Sequence, residues 1–198
     1  MDANSMQRRR DVVVIGGSQG ATEALRILLA RLPADFPAAV MIVIHTNPSS
    51  PDYMASVLGR YSTLPVDYGH EGEKVLPGRV YLAPADRHLE VVAPGIIHLH
   101  DGPKVSFARP AADRLFITAA EVLGSRVISL VLSGGDSDGS DGAVVVENAG
   151  GLSFVQHPKE APVPSMPIQA MRKTTSSEPL RAQDMADALI NAVGCVHR

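Results

Sequence analysis

Three short apolar runs, each followed by a polar or glycine-rich turn and then by a helical pattern, constrain the fold of this chain most strongly. The runs cover residues 11–15, 39–44 and 127–132. Helical patterns follow them over residues 22–32, 51–60 and 142–149. Short β-branched runs bounded by glycine are typical of buried strands. Buried strands that alternate with helices predict a parallel sheet covered on both faces.

The middle of the chain predicts a different arrangement. Strand-like residues 75–83, 88–92 and 96–99 are separated by Pro77-Gly78 and Pro94-Gly95. These dipeptides favour turns, so we expect an antiparallel excursion here. Further helices are expected over 111–123 and 184–193, and a further strand over 152–155. The predicted fold class is α/β: a doubly wound, mainly parallel sheet with helices on both faces and an antiparallel β excursion in the middle of the chain.

Composition excludes several classes of protein. The chain has 198 residues and a formal net charge of −3, which gives no reason to expect a nucleic acid or an anionic membrane as partner. Its single cysteine, Cys195, excludes an internal disulfide framework. No apolar stretch approaches the ~18 residues of a membrane helix, and the start lacks the apolar core of a signal peptide. We expect a soluble cytoplasmic protein with a disordered leader over 1–10 and a single domain over 11–198.

A residue able to do chemistry follows each of the three apolar runs. Ser18 follows the first, His45 the second, and a glycine-rich loop with Asp136 and Asp138 the third. Because parallel strands end at the same edge of a sheet, we expect these residues to meet there. A serine nucleophile needs a base, and the base needs a carboxylate to fix its tautomer. Glycine-rich turns also offer backbone N–H groups to a developing oxyanion.

The motif around the serine has two other interpretations. Gly16 to Gly20 reads Gly-Gly-Ser-Gln-Gly, which contains the Gly-x-Ser-x-Gly pattern of α/β-hydrolases. Those enzymes place the acid before the histidine in chain order, whereas here His45 precedes Asp138. A dinucleotide site would need glycine at Ile15 and an acidic residue after the second strand, and both are absent. An esterase-type site of another family remains the favoured interpretation.

Several segments together resemble the catalytic domain of the CheB-type chemotaxis protein-glutamate methylesterases. The similar segments are residues 14–24, 43–48, 75–88, 133–139 and 165–167. The resemblance covers the chain from about residue 11 to residue 170 or beyond, and Asp138 falls on the family's catalytic aspartate.

The resemblance implies hydrolysis of methyl esters on glutamate side chains of chemoreceptor cytoplasmic helices, and in many members deamidation of receptor glutamines. Ser18 would attack the ester, His45 would carry the proton, and Asp138 would hold His45. The backbone N–H of Gly135 would stabilise the oxyanion. No metal and no organic cofactor is implied.

The chain departs from the family pattern near the expected site. Gln19 follows the serine where the family has threonine, and Ile44 replaces a glutamine before the histidine. Asp136 adds a carboxylate that would either raise the basicity of His45 or compete for it. Only ten residues precede the first expected strand, so we expect this chain to lack the family's phospho-receiver domain. The chain is therefore either an excised domain or a stand-alone member.

Two alternatives to the methylesterase interpretation remain open. One is a non-catalytic module that binds a receptor or another partner on the same fold. The other is an esterase or amidase for a different acyl substrate. His98 and His100 share a strand face and could bind a metal, although surface residues are the favoured interpretation. His157 follows a predicted strand and is an additional candidate for lining the site.

Overall fold

A computed structural model describes residues 10–45 and 53–193. The strands are β1 Val12–Gly17, β2 Ala39–Ile44, β3 Val66–Tyr68, β4 Val80–Leu82, β5 His88–Val92, β6 Ile96–His100, β7 Val127–Val131, β8 Leu152–Gln156 and β9 Glu178–Leu180. Seven of them form one sheet in the order β3-β4-β2-β1-β7-β8-β9. Every pairing in that sheet is parallel. β5 and β6 form a separate antiparallel pair.

Helices cover both faces of the sheet, as the sequence predicts. They are α1 Ala21–Arg31, α2 Met54–Gly59, α3 Ala112–Leu123, α4 Ser140–Asn148, α5 Ser165–Lys173 and α6 Ala182–Ala192. Side chains of β1 alternate between two cores: Val13 and Ile15 pack with α1 and α6, and Val12 and Val14 pack with α3 and α4. A strand buried on both faces must be apolar at every position, which explains the continuous runs in the sequence.

The order of the strands determines where a site can form. From β1 the chain moves outward through β2 to the β3 edge, and it later returns to β7 on the other side of β1. The strand order therefore reverses between β1 and β7. In open parallel sheets ligands bind outside the carboxyl ends of the strands at such a point. The predicted doubly wound architecture with an antiparallel excursion is confirmed.

The extent of the antiparallel excursion was predicted wrongly. We expected residues 75–83 to belong to it, but β4 pairs in parallel with β2 and lies in the main sheet. Among the named strands of the described residues, β5 and β6 form the antiparallel pair, with His88 opposite His100, and an isolated antiparallel bridge joins Lys74 to Ile96. β3, β9 and α5 were not predicted. β3 and β9 are three residues long and partly exposed, so they lack the apolar pattern that marks a buried strand.

Some sequence predictions lie outside the described residues. These are the leader apart from Arg10, the start of the helix expected over 51–60, and Cys195. Within 10–45 and 53–193, no helix combines the length and the hydropathy that crossing a membrane requires.

Candidate active site

Ser18 lies in a tight turn between β1 and α1. Its N–H donates to the carbonyl of Ser133 at 2.8 Å, and its carbonyl accepts the N–H of Ala21 at 3.1 Å. Gly20 has a φ of 84°, a left-handed conformation that lets the chain reverse from the strand into the helix. The serine is partly buried, and Gln19 beside it is exposed. Two backbone hydrogen bonds therefore fix the position of Ser18.

Gly134 lies against Ser18 from the β7 side. A Cβ at position 134 would lie 3.0 Å from Ser18 Cβ and would overlap Met166 Sδ. The backbone of Gly134 is fixed by hydrogen bonds to Val163 O at 2.8 Å and from Met166 N–H at 3.0 Å. Only glycine fits this close approach, so the glycine-rich loop after β7 packs directly on the turn that contains Ser18.

His45 is the neighbour of Ser18 across the strand ends. It lies one position beyond the β1–β2 pair Gly17–Ile44, and its N–H donates to Gly17 O at 3.1 Å. Its side chain is 14% exposed. Nε2 lies 2.7 Å from Asp138 Oδ2, and Nδ1 lies 3.4 Å from Asp136 Oδ2. Both ring nitrogens thus face carboxylates, and among the described residues no hydrogen bond joins the ring to Ser18 Oγ.

Asp138 is completely buried and fully hydrogen-bonded. Its carboxylate accepts the N–H groups of Ala112 at 2.6 Å, Asp113 at 2.9 Å and Gly139 at 3.0 Å. Ala112 and Asp113 open α3, whose own N-cap residue Ala111 supplies no side-chain cap. Asp138 therefore caps α3 from another segment, and the positive end of the helix dipole favours its charge.

Asp113, in the first turn of α3, caps the N-terminus of α4 in the same way. Its Oδ1 accepts the N–H of Gly142 at 2.7 Å, in the first turn of a helix whose N-cap residue Gly139 has no side chain. Burial, with help from the negative charges of Asp138 and Asp141, raises the pKa of Asp113 to about 7. The two aspartates form a reciprocal pair of caps between α3 and α4. The sequence around Asp113 does not mark this residue as functional, because its role depends on a partner 29 residues away.

The two carboxylates beside His45 dominate its electrostatics. Burial opposes the charged imidazolium, but hydrogen bonds and charges of Asp136 and Asp138 outweigh it and raise the pKa of His45 to about 9. For Asp136, burial alone would raise the pKa, because burial disfavours the charged carboxylate. Its interactions with His45 and with the N–H of Asp138 prevail and hold that pKa below the usual value. The two carboxylates thus favour the protonated form of His45.

A cleft of about 150 Å³ opens over His45 and Asp136. Its other wall is residues 104–109, which include a turn closed by hydrogen bonds between Val105 and Ala108 at 3.0 and 2.9 Å. Phe107, at the tip of that turn, is 96% exposed. Arg109 is tied to Asp86 at 2.7 Å and to two backbone carbonyls. Sequence reasoning missed this wall, although an aromatic residue in a short loop between proline residues was an available signal.

Two backbone amides beside Ser18 are available to a developing negative charge. The N–H groups of Gly135 and Gln19 have no acceptor within the part of the chain that the structure describes. Gly135 is exposed in the loop that contacts Ser18 through Gly134, and Gln19 directly follows the serine. Amides of this kind, directed at a reacting carbonyl, can form an oxyanion hole.

The other histidines considered from the sequence lie away from this cleft. His98 Nδ1 lies 3.0 Å from Glu71, and His100 Nδ1 lies 3.6 Å from Glu90. In the described ranges no three potential ligands come together as a metal site would require. His157 lines a second depression with Lys159, Glu160 and Arg181 and does not reach the cleft of His45.

Comparisons with known proteins agree on one family. The profile of the family described as CheB methylesterase matches residues 13–189. The chain is 36% identical to a protein-glutamate methylesterase/protein-glutamine glutaminase 2 of Methanosarcina acetivorans, over 93% of this chain and 54% of that protein. It is also 36% identical to the corresponding protein of Yersinia pestis, over 81% of this chain and 46% of that one.

A solved structure shows the same fold. The crystal structure of the Thermotoga maritima CheB methylesterase catalytic domain superposes with a TM-score of 0.85 and 33% identity, and the match covers 91% of this chain and 97% of that one. The chain spans about half the length of the curated relatives it matches. With fold, sequence and strand-end site in agreement, this chain belongs to the CheB methylesterase family.

Proposed function

We propose that this chain hydrolyses methyl esters of glutamate side chains on chemoreceptors, with Ser18 as nucleophile, His45 as base and Asp138 as the group that orients His45. The observation that carries this proposal is the placement of Ser18 beside His45 at the strand-order reversal, with His45 hydrogen-bonded to the buried Asp138. Membership of the family and the names of its relatives support the choice of substrate.

The first half of the reaction transfers the acyl group to the enzyme. Ser18 Oγ attacks the ester carbonyl carbon, and its proton passes to Nδ1 of neutral His45, the ring nitrogen that is not bonded to Asp138. The N–H groups of Gly135 and Gln19 stabilise the oxyanion of the tetrahedral intermediate. The bond to the methoxy oxygen then breaks, and His45 gives its proton to that oxygen. Methanol leaves, and a glutamyl ester of Ser18 remains.

The second half of the reaction releases the glutamate. A water molecule gives a proton to His45 Nδ1 and attacks the acyl carbon. The bond to Ser18 Oγ then breaks, and His45 returns the proton to the serine. The product is a glutamate side chain, which ionises at neutral pH. None of these steps uses a group other than this chain's own residues, the substrate and water.

Replacing the nucleophile tests this proposal. We expect Ser18→Ala to abolish methanol release from methylated receptor fragments and labelling by a serine-reactive phosphonate, because the variant lacks the attacking hydroxyl. Ser125→Ala is the matched control: Ser125 precedes β7 at the opposite edge of the sheet and should leave activity unchanged. Methanol release by Ser18→Ala at the parental rate would overturn the assignment. Absence of labelling at Ser18 in the parental protein would favour a binding module instead.

Glutamine deamidation is a second candidate activity of the same site. The curated relatives are named protein-glutamine glutaminases as well as methylesterases. The chemistry differs only in the leaving group, since His45 would protonate an amide nitrogen and ammonia would leave. Ammonia release from an unmethylated receptor fragment, lost in Ser18→Ala, would establish this activity. Alcohol release from other esters and ammonia release from other amides would reveal an activity on a different acyl substrate.

A further inference from the structure

Asp136 faces His45 from the side opposite Asp138. Its Oδ2 lies 3.4 Å from Nδ1, whereas Asp138 Oδ2 lies 2.7 Å from Nε2. Asp136 is also fixed in place: Oδ1 accepts the N–H of Asp138 at 3.0 Å, and its carbonyl accepts the hydroxyl of Ser165 at 3.0 Å. The carboxylate therefore has a fixed position in the cleft wall, and the side chain is 38% exposed.

A carboxylate on each side of the ring favours one protonation state. The imidazolium has an N–H on both nitrogens and can interact favourably with both carboxylates. Neutral imidazole keeps one N–H, which Asp138 takes at Nε2, and it then presents the lone pair of Nδ1 to the negative charge of Asp136. That arrangement is repulsive, so Asp136 favours the proton on Nδ1. A base that already carries this proton cannot accept one from Ser18.

We propose that Asp136 is an inhibitory positioning residue, which competes with Ser18 for Nδ1 of His45 and keeps the histidine protonated and engaged away from the nucleophile at neutral pH. This inference rests on the proposed function, because it assumes that His45 serves Ser18. It predicts an enzyme that is restrained near pH 7 and becomes active as the pH rises and the histidine loses its proton.

The other charged groups around His45 do not cancel the effect of Asp136. Asp113 donates its backbone N–H to Asp138, and its side chain is a carboxyl group that brings no positive charge to His45. Arg109 shares the cleft, but its guanidinium is held by Asp86 and by carbonyls of residues 101 and 102. Lys104 lines the cleft and is exposed. The raised pKa of His45, about 9, agrees with the geometry.

The pH profile of variants at position 136 tests the inference. Asp136→Asn removes the charge and keeps an oxygen for the N–H of Asp138; Asp136→Ala removes the competitor altogether. We expect both to raise kcat/KM at pH 7 about tenfold and to move the ascending limb of the profile down by about one pH unit, as loss of one close carboxylate predicts. The rate at the alkaline plateau should change little. A small activated ester as substrate separates this effect from receptor binding.

Asp141→Asn is the matched control. It removes the same charge five positions along the chain, from a carboxylate that pairs with Lys173 at 2.6 Å and does not face His45. Its pH profile should coincide with that of the parental protein. A variant at position 136 that is slower at every pH, with an unmoved limb, would show that Asp136 assists the reaction and would overturn the inference.

A spectroscopic titration decides the matter independently of activity. In the full chain with labelled histidines, the signal that disappears in His45→Asn identifies His45. It should titrate well above the ordinary histidine range and move to lower pH in Asp136→Asn. Titration at the ordinary value in the parental protein would overturn the inference, even if a variant failed to fold. If Ser18→Ala is inactive and the His45 titration does not move in Asp136→Asn, the inference alone is refuted, whereas a fully active Ser18→Ala would refute the proposed function.

Discussion

The two walls of the cleft over His45 are built in opposite ways. One wall is the loop after β7, where Asp138 is completely buried and accepts three backbone N–H groups. The other wall is the turn at 104–109, where Phe107 is almost fully exposed. The buried wall fixes the geometry of the ring, and the exposed wall offers an apolar side chain to whatever enters. Under the proposed function, this difference predicts that rate and substrate binding can be altered separately.

Replacing the buried carboxylate should have the largest effect. We expect Asp138→Asn to lower kcat by about 10³-fold or more, since an amide cannot fix the histidine tautomer or stabilise the imidazolium. Asp136 lies on the other ring nitrogen and cannot take over this task. Methanol release across the pH range would measure the loss. A fall of less than tenfold would show that Asp138 matters for capping α3 and not for the reaction.

Replacing the exposed aromatic side chain should have a smaller effect of a different kind. We expect Phe107→Ala to raise KM for a methylated receptor fragment about tenfold, the range of an exposed aromatic anchor at an interface, with kcat nearly unchanged. Hydrolysis of a small activated ester should not change. Val92→Ala, another exposed apolar residue at the end of β5, is the control. Equal KM values for parental protein and Phe107→Ala would remove the exposed wall from substrate binding.

The smallest expected effect concerns stability and comes from Asp113. Burial raises the pKa of Asp113 in the folded protein from the ordinary value of 3.8 to about 7, so the stability linked to its protonated form is complete below pH 3.8 and is lost as the pH rises through 7. Asp113→Asn cannot ionise. We expect the difference in free energy of unfolding between Asp113→Asn and the parental protein to grow by about 1–2 kcal/mol, in favour of the variant, as the pH rises from 4 to 8.

Urea unfolding at several pH values measures that gain. Asp187→Asn, at an exposed ion pair with Arg31, provides the reference for a lost surface charge. If the difference in free energy of unfolding between Asp113→Asn and the parental protein does not change with pH, Asp113 is ionised in the folded protein from pH 4 to pH 8.

The sequence predicted the parts of the molecule that follow from local pattern. Continuous apolar runs identified β1, β2 and β7, and because parallel strands end at one edge, they also predicted where Ser18, His45 and Asp138 would lie. Pattern could not locate β9, whose three residues include two exposed ones. It also could not decide between the two roles left open for Asp136. That choice depends on which ring nitrogen each carboxylate faces, a property of three segments brought together by the fold.

The reciprocal caps of Asp138 and Asp113 link the environment of His45 to the packing of two helices. The carboxylate of Asp138 is hydrogen-bonded both to the ring of His45 and to the first turn of α3, and the carboxyl group of Asp113 in that turn is hydrogen-bonded to α4. Any substitution that lets α3 and α4 separate slightly should therefore displace the carboxylate that is hydrogen-bonded to His45. On warming, turnover should decline several degrees before circular dichroism records melting, and a ligand that tightens this helix pair should extend the working temperature of the protein.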